Sequence, residues 1–256
     1  MLLRDESDDY PLEEMRRLFA DKGIGVHFFA RGCDAPDDVD MVLAMGGDGT
    51  VLRALEMLPQ CPVVAVNFGK VGFLTAGDRS DLETILARLA AGEFFISERL
   101  MLACDHPWGS SRVINEIDIR TRHRLIFTDV FVNDARIRTI QGDGVVVGTP
   151  TGSTGFLLAT GAPIVMPGVR CIILDGINEF NFSSRALILG PDARIRLHIN
   201  PETRDPSIYC TADGRELGQL VPGQEVFIRC AEHTAKLVFF EENYFFHNLS
   251  SKLSWD

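Results

Sequence analysis

The chain has 256 residues, 46% of them hydrophobic, which is enough material for a sizeable buried core in one or two domains. Its 36 acidic and 25 basic side chains give a formal net charge of −11, which excludes a broad polyanion-binding face and predicts little nonspecific affinity for nucleic acid or membranes. Any phosphate it handles must be held locally.

The N-terminus turns acidic after Met1-Leu2-Leu3-Arg4, and no apolar run approaches the length of a membrane helix, so neither a signal peptide nor a membrane span is expected. Leu12, Met15, Leu18 and Phe19 predict a helix from Pro11 to Lys22, stopped at Gly23. The apolar runs Val26 to Phe29, Met41 to Met45 and Pro62 to Val66 read as strands covered on both faces, in a parallel sheet. Helices are expected over Thr50 to Leu58 and from a Ser80-Asp81-Leu82-Glu83 capping box to Gly92.

From about Glu93 the pattern becomes strand-like: Phe94 to Ile96, Val113 to Arg120, Leu125 to Val132, Ala135 to Ile140 and Val145 to Gly148. Further strands are expected at Cys171 to Leu174, Ala186 to Leu189, Arg194 to Ile199, Ser207 to Cys210, Glu225 to Arg229 and Lys236 to Phe240. The fold class is therefore α/β plus β, a doubly wound parallel-sheet domain followed by a mainly antiparallel one. The cysteines at 33, 61, 104, 171, 210 and 230 show neither Cys-x-x-Cys spacing nor clustered His, which suits reduced thiols in a cytoplasmic protein.

Four blocks carry chemistry. Gly46-Gly47-Asp48-Gly49-Thr50 follows a strand and opens a helix; glycines let a ligand approach, N–H groups favour phosphate, and Asp48 is either a base or ligand to a hydroxyl or metal, or simply the helix N-cap. Gly148-Thr149-Pro150-Thr151-Gly152-Ser153-Thr154-Gly155, preceded by Gly142-Asp143-Gly144, is dense in hydroxyls and glycines and suits phosphate, ribose or adenine, or alternatively caps a short helix. In Asn67-Phe68-Gly69-Lys70-Val71-Gly72-Phe73-Leu74-Thr75, composition favours Phe73 as core and Lys70 as a solvated charge. Asn115-Glu116 lies in an alternating stretch where the two side chains must face opposite ways.

Taken in this order and at this spacing, the blocks resemble the NAD kinase (polyphosphate/ATP-NAD kinase) family from about Asp40 through Gly214. The Gly-Gly-Asp-Gly-Thr turn is shared with diacylglycerol, sphingosine and 6-phosphofructo-kinases, whereas Thr-Pro-Thr-Gly-Ser-Thr points to NAD kinases. The resemblance implies an α/β domain over 1–97, a β domain over 98–240 and a return of 241–256 to the first domain, with NAD held between the two. It implies that Asp48 deprotonates the adenosine 2'-hydroxyl for attack on ATP, another nucleoside triphosphate or polyphosphate, with Mg2+ neutralising the donor. Gly46, Gly47, Gly49, Thr50 and Arg53 would lie beside Asp48, Phe73 would line the adenosine pocket, and Asn115 and Glu116 would hold the other nucleoside. Asp143, Thr151, Thr154, Gly155, Phe156, Ala159 and Arg215 would complete the NAD site, in a homodimer or homotetramer.

The chain departs from the family at several positions. Phe156 replaces a usual Tyr, Phe68 and Gln141 stand where Arg is common, Arg215 where a Gln follows Asp213-Gly214, and 179–186 diverges. The N-terminal residues hardly make the usual first strand. The alternatives are a lipid kinase, which the acidic composition opposes, and a nucleotide-binding regulator without turnover, which a retained Asp48 opposes.

Overall fold

Nearly continuous apolar runs form the central strands at 42–45 and 63–67 of the first sheet, because a strand covered on both faces has no use for polar alternation. The computed structural model describes residues 2–3, 12–29, 38–68, 72–181, 184–204 and 207–253. These divide into two compact units, 1–98 with 235–256 and 99–234.

The first unit opens with β1 (Leu2–Leu3), α1 (Leu12–Asp21), β2 (Val42–Met45), α2 (Asp48–Met57), β3 (Val63–Asn67), β4 (Gly77–Asp78), α3 (Leu82–Ala91) and β5 (Phe95–Arg99). Every residue of β2 and β3 is buried. The brief N-terminus does supply a first strand, two residues long and parallel to β2 through Leu2↔Ala44 and Leu3↔Met45. No strand forms over 26–29. Exposure there alternates, so Val26 and Phe28 cover the core from one side while His27 faces solvent, and only Phe29 forms a ladder bridge. The capping box lies two residues upstream of the Ser80–Glu83 expectation: Asp78 Oδ1 accepts Ser80 N–H and Asp81 Oδ2 accepts Asp78 N–H. Gly92, at φ 72°, terminates α3 in the left-handed conformation. Pro11 lies outside the described residues.

The second unit comprises β6 (Leu102–His106), β7 (Gly109–Val113), β8 (Glu116–Thr121), β9 (Ile126–Val132), β10 (Ala135–Gly142), β11 (Gly144–Gly148), α4 (Phe156–Thr160), β12 (Ile172–Ile177), β13 (Leu187–Leu189), β14 (Ile195–Ile199), β15 (Ile208–Ala212), β16 (Arg215–Leu220) and β17 (Glu225–Cys230). Two antiparallel sheets, β10-β9-β14-β17-β6-β7 and β13-β12-β11-β8-β15-β16, form a sandwich. Its core takes Ile117, Ile119, Val145 and Val147 from one sheet and Leu102, Val130, Leu197 and Val226 from the other. At ~1.5–3 kcal/mol for each buried aliphatic side chain, this alternation is the main source of cohesion. The outer face of β11 and β12 is covered as well, through Val146, Ile173 and Leu157 of α4.

The expected single strand Val113–Arg120 is two strands, broken at Ile114-Asn115. The hairpin strands β6 and β16 gave no clear run in the sequence, because each buries only part of one face. The chain then returns to the first unit with β18 (Ala235–Phe239), parallel to β3 through Leu237↔Val63, and α5 (Tyr244–Leu253). The expected strand at 236–240 therefore completes the first sheet, in the order β1-β2-β3-β18-β5 with β4 beside β3, instead of closing the second.

Candidate active site

In the first unit, β2 runs into Gly46, whose φ of 153° favours glycine, and Gly47 begins α2 by accepting Thr50 N–H at 2.9 Å. Among the described residues a Cβ at Gly47 or Gly49 would meet nothing within 4 Å, so the outer side of this turn has room for a ligand.

Asp48 is the first residue of α2, not its N-cap. Its Oδ2 accepts Phe73 N–H and its Oδ1 accepts Leu74 N–H, each at 3.0 Å. Gly72 makes this possible, since a Cβ there would fall 1.9 Å from Asp48 Oδ1. Phe73 is half-buried and not one of the core residues that composition favoured, whereas Leu74 beside it is buried; Arg53 is also half-buried and Thr50 buried. From α5, Asn248 Nδ2 donates to Phe73 O at 3.3 Å. One turn later Lys252 has its ammonium pKa lowered by burial, against an opposing pull from Asp48. Neither residue was found in the sequence, where α5 carries no motif. Phe68 stacks under the Arg79 guanidinium, 5.4 Å from its ring centre. Gly69, Lys70 and Val71 lie outside the described residues.

In the second unit, most of the hydroxyl-glycine block is spent on building its own loop. Thr149 Oγ1 donates to Ile114 O and accepts Gly152 N–H, Ser153 Oγ donates to Pro150 O and accepts Val165 N–H, and Thr154 Oγ1 donates to Thr151 O. Thr151 Oγ1 accepts from Arg99, a residue only 2% exposed. The reading of these glycines as ligand-approach positions is corrected at Gly148 and Gly152, where a Cβ would lie 2.7 and 2.4 Å from Asn115 O. Backbone meets backbone there, and among these three glycines only Gly155 is exposed.

Asn115 and Glu116 do not alternate along one strand; Glu116 begins β8 and Asn115 lies in the break. Asp213, at φ 46°, holds that break: its Oδ1 accepts Asn115 and Glu116 N–H at 2.8 and 3.1 Å, and its Oδ2 accepts Ile114 N–H at 2.9 Å. Burial, with Asp213 and Asp118 nearby, pushes the Glu116 carboxyl up to about 8, and its Oε2 is buried without a hydrogen-bond partner. Phe156 N–H also bonds this carboxyl, and the Phe156 ring lies under Arg120 at 5.4 Å.

Asp143 accepts from Asn178 Nδ2 at 2.8 Å, while Ala159 on α4 and Arg215 at the start of β16 are exposed. Asp175, which carried no sequence signal, accepts Thr160 Oγ1–H at 2.7 Å and so fixes the end of α4. The divergent 179–186 segment is anchored by Arg138 paired with Glu179 at 3.1 Å and by Phe180 N–H on Gln141 O at 2.8 Å; Phe182 and Ser183 are outside the described residues.

The ATP-NAD kinase N-terminal domain family matches residues 29–94, and the ATP-NAD kinase C-terminal domain family matches residues 115–240. The NAD kinase of Geobacter metallireducens is 32% identical over 231 residues, covering 87% of this chain and 81% of that protein. The NAD kinase of Syntrophotalea carbinolica is 33% identical over 249 residues, covering 94% and 86%. The crystal structure of an NAD kinase from Archaeoglobus fulgidus in complex with ATP superposes with a TM-score of 0.82 at 25% identity, over 99% of this chain and 97% of that one.

Proposed function

The chain belongs to the NAD kinase family and phosphorylates NAD, and from that premise we propose that Asp48 is the general base acting on the adenosine 2'-hydroxyl. The observation that carries this role is the fixing of the Asp48 carboxylate by Phe73 and Leu74 N–H, one bond to each oxygen. Each oxygen keeps a lone pair for a hydroxyl proton, and the side chain is held in one rotamer before substrate arrives.

The reaction then balances simply. The 2'-hydroxyl proton passes to Asp48, the oxygen forms a bond to the terminal phosphorus of the donor, and the bond to the leaving phosphate breaks. The open turn at Gly47 and Gly49, at the N-terminus of α2, suits the donor's phosphates, whether of ATP, another nucleoside triphosphate or polyphosphate. Mg2+ would enter together with the donor's phosphates. It would neutralise the donor's charge.

In the second unit, Asn115, Glu116, Asp143, Thr151, Thr154, Gly155, Phe156, Ala159 and Arg215 are assigned to NAD. Phe156 offers a face for stacking without the hydroxyl of a Tyr, and Glu116, neutral below about pH 8, has a buried oxygen in want of a partner. Assembly as a homodimer or homotetramer in the cytoplasm belongs to the same proposal; Cys33 lies outside the described residues, and the other five cysteines are free.

The test is NADP formation from NAD with Mg-ATP, with polyphosphate and NADH as parallel substitutes. Product that vanishes in Asp48→Asn supports the assignment, whereas an Asp48→Asn variant within a few-fold of the parent removes Asp48 from the mechanism. A lipid-kinase role has no support from the relatives, which are NAD kinases.

A further inference from the structure

Arg120 carried no signal in the sequence, yet its surroundings single it out. Glu116, Asp118 and Arg120 alternate on β8 with Ile117 and Ile119, which point into the sandwich core, so the three polar side chains share the opposite face. Asp118 is only 3% exposed, whereas Arg120 is 44% exposed with its Nε 2.9 Å from Asp118 Oδ1. Asp118 Oδ1 nonetheless lacks a hydrogen-bonded partner, so charge and not a directed N–H bond holds the pair. Thr211 supplies the directed bond to the other oxygen of Asp118. An arginine recruited only to neutralise a buried carboxylate would turn its fork onto it. Here the guanidinium carbon lies 5.4 Å from the centre of the Phe156 ring, on a side chain that is 44% exposed.

The local field is positive in an otherwise acidic chain. Residues 120–124 read Arg-Thr-Arg-His-Arg, and 121–125 line a surface pocket with Asp143. Planar, bidentate donors beside an aromatic face are suited to phosphate oxygens next to a stacked ring.

We propose that Arg120 is a substrate-contacting residue that binds a phosphate of the dinucleotide, with Asp118 and Phe156 holding its guanidinium in place. The proposal rests on the assignment of this unit to NAD. It names a phosphate contact beyond the residues implied by the family blocks, and a local source of positive charge in a chain where Gln141 supplies none.

Calorimetric titration of NAD and of phosphate-free adenosine into the intact protein, and into Arg120→Gln, Arg120→Lys and Phe156→Ala, tests it. Loss of a charge-assisted pair should weaken NAD roughly 10- to 100-fold in Arg120→Gln and leave adenosine unchanged. Lys, which keeps the charge but not the fork, should recover part of the loss, and added salt should weaken NAD binding less in Arg120→Gln than in the parent. Unchanged NAD affinity in Arg120→Gln, alongside a loss in Phe156→Ala, overturns the role of Arg120 alone. Equal losses of NAD and adenosine with a lowered melting temperature reduce Arg120 to a structural counter-ion and also overturn it. A parent protein that binds neither ligand overturns the assignment of the whole unit, and Arg120 with it.

Discussion

Asp48 does two jobs with one carboxylate, and they can be separated. As an acceptor it holds the backbone of Phe73 and Leu74, and as a base it would take the 2'-hydroxyl proton. Asp48→Asn keeps one acceptor oxygen but turns an amide N–H toward the other backbone donor, so it should fold with a stability loss of about 1–3 kcal/mol. Its turnover should fall by roughly 10²–10⁴-fold, because the base is gone while NAD binding is retained. Denaturant midpoints, NAD titration and initial rates of NADP formation check the three parts. Gly72→Ala separates the roles from the other side. Its Cβ would collide with Oδ1, so turnover should drop although the carboxylate remains. Full activity in Gly72→Ala would mean that the Asp48 orientation seen here is not the working one.

At the scale of elements, the two glycine-bearing turns differ in what their glycines are for, and substitution should expose it. Ala at Gly49 meets no atom of the described residues and suits a helix, so Gly49→Ala should be as stable as the parent or up to about 1 kcal/mol more stable, yet lose activity where a ligand needs the space. Ala at Gly152 would press on the Asn115 carbonyl, which the bonds that Ile114, Asn115 and Glu116 N–H donate to Asp213 prevent from yielding, so Gly152→Ala should cost ~1–3 kcal/mol or more. Parallel melting curves and NADP assays distinguish the cases; equal stability in Gly152→Ala would show that the loop tolerates a shift.

The same contrast shows what was legible in the sequence. The Val145–Val147 run, the alternation of Ile117 and Ile119, and the strand-turn-helix at Asp48 are local patterns, and local patterns can be read without the fold. The break at Ile114-Asn115 is made by a carboxylate nearly a hundred residues away, at Asp213, and nothing near 114 announces it. The return of Ala235–Phe239 to the first sheet and the approach of Asn248 to the Phe73 carbonyl are likewise products of topology. The glycines of the hydroxyl-rich loop were conspicuous, but whether a glycine clears space for a ligand or for a neighbouring backbone depends on what lies opposite. Only the three-dimensional structure supplies that.

For the molecule as a whole, titration of the second unit gives stability a maximum in mild acid. Asp129 is partly opposed by burial, but its hydrogen bonds from Thr139, Arg136, Asn200 and His198 outweigh that and hold it at about 2. Its folded pKa is depressed, so its contribution is present above the unfolded value of 3.8 and is lost as pH falls toward 2. Glu116 works in the opposite direction. With a folded value of about 8 against 4.5 unfolded, the native state holds a proton that the unfolded chain releases. Stability therefore declines as pH rises from about 4.5 to about 8, by an amount on the order of a few kcal/mol. Asp118, also raised by burial, adds to the same limb. Denaturant midpoints measured from pH 3 to 8.5 should rise and then fall. Glu116→Gln removes the ionisation that drives the decline, so its stability relative to the parent should grow with pH across that window and level off above about 8. Asp129→Asn should be less stable than the parent near pH 6 and converge on it toward pH 2. If Glu116→Gln tracks the parent at every pH, the carboxyl is already ionised in the native state, and its neutrality below about pH 8 is lost as a feature of the NAD site.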